Sequence, residues 1–166
     1  MRLEDVLASQ AVFVDANTFV YALAPEPTLG PPCFQFLERI KRKEVEAFAS
    51  SHVFSDVAHR LMSLEACATF GWPYAGIANR LKRHPTEIAK LQKFRHALDQ
   101  IVAIGLHILP VNSQDILLAG DLSIQHALLS GDALIVAMMQ KSGVTQLASN
   151  DADFDHGPGI TRFGPA

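Results

Sequence analysis

At 166 residues, 49% of them hydrophobic, the chain is sized for one domain with a substantial core, and 14 Lys and Arg against 17 Asp and Glu leave a formal charge of −3, which argues against gripping nucleic acid through bulk charge. Cys33 and Cys67 stand far apart, which excludes a CxxC zinc site and a disulfide framework and leaves buried thiols as the expectation. No run of about 18 uncharged apolar residues and no signal-peptide core are present, so a soluble, cytoplasmic protein without membrane contact is expected, one domain over 1–166.

Residues 2–8 suit a short leading helix. Ala11, Val12, Phe13 and Val14 then form an apolar run of the kind a buried parallel strand needs, and the run stops at Asp15. Ligands of open α/β sheets bind beyond the carboxyl ends of the strands, so an acid at this point faces a crevice. Asn17 and Thr18 follow, and Phe19, Val20 and Leu23 resume at helical spacing. The Asp-x-Asn-Thr turn would serve equally as an ordinary helix cap.

A Pro-rich loop spans 24–32. Phe34, Phe36, Leu37 and Ile40 place an apolar face on a helix at 32–43, closing with Arg39, Lys41, Arg42 and Lys43. A strand at 45–49 leads to Ser50 and Ser51, N-cap candidates for a long helix, 52–70, which Gly71-Trp72-Pro73 ends. The stretch 72–104 reads as helical, with two helices divided near His84-Pro85. Its polar side gathers Arg80, Lys82, Arg83, Lys90, Lys93 and Arg95 against Glu87 alone. Such a run is either a solvated helix face or a surface for nucleic-acid phosphates, with Arg80, Lys82, Arg83 and Lys90 as the candidate contacts.

Residues 106–111 form a third strand, and Ser113 is placed to cap a helix over 114–128. Ser130-Gly131-Asp132 opens a helix through 141 whose apolar residues cover nearly every face, so it should be deeply buried. Residues 146–149 and 160–163 complete a set of four or five strands. Strands alternating with helices define an α/β fold, a central and mainly parallel sheet flanked by helices.

With the elements in place, four acids fall at four junctions. Asp15 ends the first strand, Asp56 lies early in the helix after the second, Asp132 opens a helix, and Asp151 follows the fourth strand. Each has a structural alternative: Asp132 as a complement to the helix dipole, Asp56 as a partner of His59 or Arg60, Asp151 and Asp153 as turn formers. Carboxylates converging on one sheet edge repel one another unless a cation neutralises them. Mg²⁺ or Mn²⁺, one ion or two, is the match for oxygen ligands and leaves positions for a phosphate, which points to phosphodiester hydrolysis. None of the seven histidines shows metal-ligand spacing, although His52 and His59 flank Asp56 closely enough to tune it.

Over almost the whole chain these residues resemble the PIN-domain nucleases, including the VapC-type toxins of toxin–antitoxin pairs. VFVDANTFVYAL is similar to the family's first motif, ASSHVFSDVAHRL to its second, LLSGDALIVAMM to its third and LASNDADFDHGPGITRF to its C-terminal signature. The resemblance implies a PIN-like three-layer sandwich and a metal-dependent endoribonuclease with catalytic Asp15, Asp56, Asp132 and Asp151. It carries metal binding onto Asp15, Asp132 and Asp151, with Asp153 as an accessory, and supporting roles onto Asn17, Thr18 and Ser51. It also implies an RNA substrate, a homodimer and, in toxin members, an antitoxin that blocks the site.

One position departs from the pattern. The second motif usually supplies Glu, and Asp56 is shorter by one methylene, so its carboxylate would reach an ion through water. That departure motivates an alternative, a PIN-like binding or scaffold module without catalysis. A haloacid-dehalogenase-like phosphatase, with Asp15 as covalent nucleophile, is a further alternative, but it requires an acid where Asn17 stands. No aromatic pair or GxxG loop of the common RNA-binding modules is visible, leaving shape and backbone as the means of RNA recognition.

Overall fold

In the computed structural model, which describes residues 1–166, the apolar run Ala11–Val14 is the central strand, β1, of a five-stranded sheet. Val12, Phe13 and Val14 are wholly buried, as a strand covered by helices on both faces must be. Phe13 stands opposite Phe48 of β2 (Glu46–Ser50) on one side and Leu147 of β4 (Gln146–Ala148) on the other. β3 (His107–Leu109) and β5 (Thr161–Phe163) form the edges, giving the order β3-β2-β1-β4-β5 with every pairing parallel. The chain thus builds outward from β1 through β2 to β3, then returns to build the other half from β4. Between β1 and β4 the winding reverses, and in open α/β sheets that reversal opens a crevice at the carboxyl ends of the strands.

Helices α1 (Ala16–Leu23) and α2 (Gly30–Lys41) follow β1, and the 20-residue α3 (Ser51–Phe70) follows β2. Helices α7 (Ser113–His126) and α8 (Ser130–Ser142) lie between β3 and β4. Seven consecutive residues of α8, Ala133–Met139, are buried, as their all-round apolar pattern leads one to expect. They join Phe13, Phe19, Phe36 and Phe154 in one core of 35 buried residues.

Several boundaries differ from the sequence reading. The leading segment forms only a 3-10 turn, Leu3–Asp5. Asn112, not Ser113, caps α7: its side chain accepts the N–H groups of Gln114 and Asp115, while Asp115 accepts that of Asn112 at 2.8 Å. The segment after α3 contains three helices, α4 (Ile77–Arg83), α5 (Pro85–Ile88) and α6 (Lys93–Ala103). The extra break comes from α3, where the Glu65 carboxylate accepts the backbone N–H groups of Gln92, Lys93 and Phe94 and starts α6 from a distance. Cys33 is buried, which pushes its thiol up to about 12, whereas Cys67 is only half-buried.

Candidate active site

Asp15 occupies the N-cap of α1, directly beyond β1. Its Oδ1 accepts the Ala16 N–H at 2.6 Å, and its Oδ2 accepts from the Ser149 hydroxyl at 2.7 Å and from the Asn17 amide. The Asn17 side chain also donates to Ser149 Oγ at 3.0 Å and accepts the Asn150 N–H at 3.0 Å. Ser149 Oγ accepts the Asp151 N–H at 3.0 Å as well. The hydroxyl therefore makes its one donation and two acceptances, which exhausts its capacity. Ends of β1 and β4, remote in sequence, are laced together by side chains around Asp15.

Ser149 is the positioning residue that the sequence reading missed. Its signal was a hydroxyl directly after the apolar residues of β4 and before Asn-Asp, the place where a strand hands over to a loop. Ser149→Ala removes a donor from Asp15 and the acceptor of both the Asn17 amide and the Asp151 N–H. The expected result is a loss of about 1–3 kcal/mol, read as a lower urea midpoint at unchanged slope. An unchanged midpoint would show that Asp15 is held without it.

Asp132 lies in the first turn of α8, Asp56 in the second turn of α3, and Asp151 caps the 3-10 turn Ala152–His156. Asp15, Asp56, Asp132 and Asp151 line one open cavity of about 260 Å³, together with Asn17, His52 and Arg60. Burial pushes the Asp15 carboxyl up, against the lowering effects of Ser149, Ala16 and Arg60, and the Asp151 charge adds to the rise. Asp132 is pushed up to about 6, first by burial and then by repulsion from Asp151, Asp15 and Asp153, with His52 acting in opposition. These acids share one field, so each makes ionisation of the others more costly.

The other sequence candidates sit elsewhere. Thr18 is fully buried and donates to the Ala148 carbonyl at 3.0 Å, clipping α1 to β4 instead of facing the cavity. Ser51 Oγ accepts the Val111 N–H at 3.1 Å and fastens the start of α3 to the exit of β3. Asp153 is exposed and donates its N–H to Asp151 Oδ1 at 3.0 Å, at the rim of the cavity. Arg80, Lys82, Arg83 and Lys90 lie on or after α4 and α5 and do not line the cavity. Lys90 pairs with Glu87 at 2.8 Å, and the Arg80 guanidinium lies 5.6 Å from the centre of the Trp72 ring.

The donor set around the cavity consists mainly of carboxylate oxygens, the chemistry a hard divalent cation selects. No three of the chain's Asp, Glu, His and Cys side chains are drawn together tightly enough to enclose an ion by themselves. Mg²⁺ is characteristically held by one or two carboxylates and several waters, so the open arrangement and mutual repulsion fit such an ion. Asn17, committed to Asp15, Ser149 and Asn150, cannot act as the acid that the phosphatase alternative requires.

A fully parallel five-stranded sheet, flanked by helices and carrying acids at its winding reversal, defines the architecture of the PIN fold. Residues 12–159 match the PIN domain family, and the chain belongs to it. It is 34% identical over 77 residues to a VapC ribonuclease of Mycobacterium bovis and, equally, to ribonuclease VapC13 of Mycobacterium tuberculosis. Each match covers 46% of this chain and spans 59% of the relative's length. The fold is similar to VapBC2 from Rickettsia felis bound to a promoter DNA fragment, with a TM-score of 0.60 at 16% identity, covering 93% of this chain and 98% of that one. It is also similar to Mycobacterium tuberculosis VapC20, a toxin that cleaves the sarcin-ricin loop, with a TM-score of 0.57 at 16% identity over 89% and 95% of the two chains. A toxin–antitoxin complex from Klebsiella pneumoniae gives a TM-score of 0.54 at 17% identity, over 90% and 95%.

Proposed function

We propose that this protein is a Mg²⁺- or Mn²⁺-dependent endoribonuclease, the toxin of a toxin–antitoxin pair. The observation that carries the reading is the convergence of Asp15, Asp56, Asp132 and Asp151 on one open cavity, with Asp132 pushed up to about 6 partly by its acidic neighbours. Family membership and the VapC relatives support it. An antitoxin partner is supported by the toxin–antitoxin complex that shares the fold. A cytoplasmic homodimer completes the proposal.

Asp15, Asp132 and Asp151 would hold the ion, with Asp153 at the rim. A bound ion would supply an activated water and would neutralise charge on the phosphoryl oxygens. Asp15 is held for this task by Ala16, Asn17 and Ser149, so its orientation is fixed before substrate arrives. Asp132, presented by a helix locked in the core, is likewise fixed at its backbone. The cavity opens to solvent, as a polymeric substrate requires, and RNA enters it by its backbone.

The test is incubation of the protein with a mixed pool of single-stranded and structured RNAs in Mn²⁺, in Mg²⁺ and in EDTA. Cutting in either ion and none in EDTA is expected. Intact RNA under all three conditions, from a folded protein that still binds Mn²⁺, would replace the nuclease with the binding-module alternative.

A further inference from the structure

Arg60 projects from α3 into the wall of the acidic cavity and is the one Arg or Lys that lines it. Its side chain is 33% exposed, so most of the guanidinium arm is withdrawn from water. Its nearest acidic partner is Asp56, with Nη1 3.7 Å from Oδ2, an ion-pair distance beyond the reach of a hydrogen bond. Arg39 and Arg162, by contrast, are spent on the protein: Arg39 on the carbonyls of Leu3 and Val6, Arg162 on Asp155 and the Ser149 carbonyl. Arg60 makes no such bond, and its planar fork of donors remains available toward the cavity.

Asp56 completes the picture. Its side chain is 44% exposed, it precedes Arg60 by one helical turn on the same face, and its carboxylate is turned to that cation. A guanidinium with uncommitted donors suits a phosphate, which it can clasp through two parallel N–H···O bonds.

We propose that Arg60 contacts a phosphate of the RNA within the cavity, and that Asp56 is its positioning residue, not a ligand of the ion. The inference rests on the nuclease reading for its substrate, but its signature is in binding. Arg60 supplies the positive charge that a wall of carboxylates lacks. Asp56 limits the orientations of the arm, so that the fork faces the incoming backbone.

The experiment measures binding of a labelled mixed-sequence RNA to full-length protein carrying Asp15→Asn, in Mg²⁺, across a salt series. Arg60→Ala, Arg60→Lys, Asp56→Asn and the Asp56→Asn/Arg60→Ala pair are each added to that background. Arg60→Ala is expected to weaken binding about 10-fold and to flatten the slope of log affinity against log salt by about 0.7. Arg60→Lys should restore the slope, because it restores the charge, which a merely structural role would not do. Asp56→Asn should weaken binding in the same direction and add nothing once Arg60 is gone. Calorimetry on the otherwise native protein should find Mn²⁺ affinity within about 2-fold of wild type in Asp56→Asn.

An unchanged affinity and slope in Arg60→Ala overturns the phosphate contact, and a 10-fold loss of Mn²⁺ affinity in Asp56→Asn overturns the positioning role. A protein that cuts RNA while Arg60→Ala leaves the slope intact sinks this inference alone. One that never cuts, yet loses the slope with Arg60, sinks the nuclease reading alone. Failure of every form to bind RNA removes both.

Discussion

Asp15→Asn and Asp132→Asn are each expected to lower metal-dependent RNA cleavage by about 100-fold or more while the protein stays folded. The two changes keep side-chain shape and delete one negative charge each. At position 15 the amide oxygen can still take the donations of Asn17 and Ser149, while its NH2 faces the Ala16 N–H in place of the lost acceptor, at a cost of about 1–3 kcal/mol. That cost is partly offset because a buried charge is removed, the same burial that pushes the Asp15 carboxyl up. Activity should therefore collapse without a matching loss of the cooperative thermal transition. Asp153→Asn, at the exposed rim, and Asp56→Asn, directed at Arg60, should each lose much less. Wild-type cleavage rates in Asp15→Asn would disconnect the cavity from the chemistry.

Divalent metal should stabilise the fold, and the size of the effect should depend on pH. At a Mn²⁺ concentration 100 times its dissociation constant the gain is about 2.7 kcal/mol, or roughly 5–10 °C for a domain of this size. In the metal-free protein, Asp132 titrates near 6 when folded against 3.8 when unfolded. Its protonated form thus supports the fold fully below pH 3.8, and that support is lost as the pH rises through 6. The ceiling is about 3 kcal/mol, which the open, water-facing cavity screens to about 1 kcal/mol. Asp132→Asn should accordingly match wild type near pH 4 and melt higher than metal-free wild type above pH 6. Mn²⁺ should raise the melting temperature of wild type more at pH 7.5 than at pH 5, where it must displace the Asp132 proton. A Mn²⁺ shift of equal size in Asp132→Asn would move the ion to other ligands.

The strand–acid–helix unit at 11–23 and the buried α8 were legible because each is written in consecutive residues. An apolar run that halts at Asp15 specifies a strand end, and apolar residues on every face of 133–139 specify a core helix. The alternation of such units fixed the parallel α/β class, and the class placed Asp15, Asp132 and Asp151 at one end of the sheet before any side chain was located.

Contacts between remote residues were another matter. Glu65 starts α6 across 27 residues, Thr18 turns inward to clip β4, and Ser149 reaches Asp15 across 134. Periodicity records which face of an element is apolar, not which polar atom it meets. The basic run from Arg80 to Arg95, spread over α4, the turn after α5 and the start of α6, was the stretch the sequence offered either as a solvated face or for phosphate, yet the cation lining the cavity is Arg60, one turn from Asp56 on α3. By itself the sequence determined the order of the elements and the acids at their ends, because hydrophobic burial and capping act over a few residues. The tertiary structure alone decided how those acids are held and which cation joins them, because strand order brings distant residues into hydrogen-bond and Coulomb range.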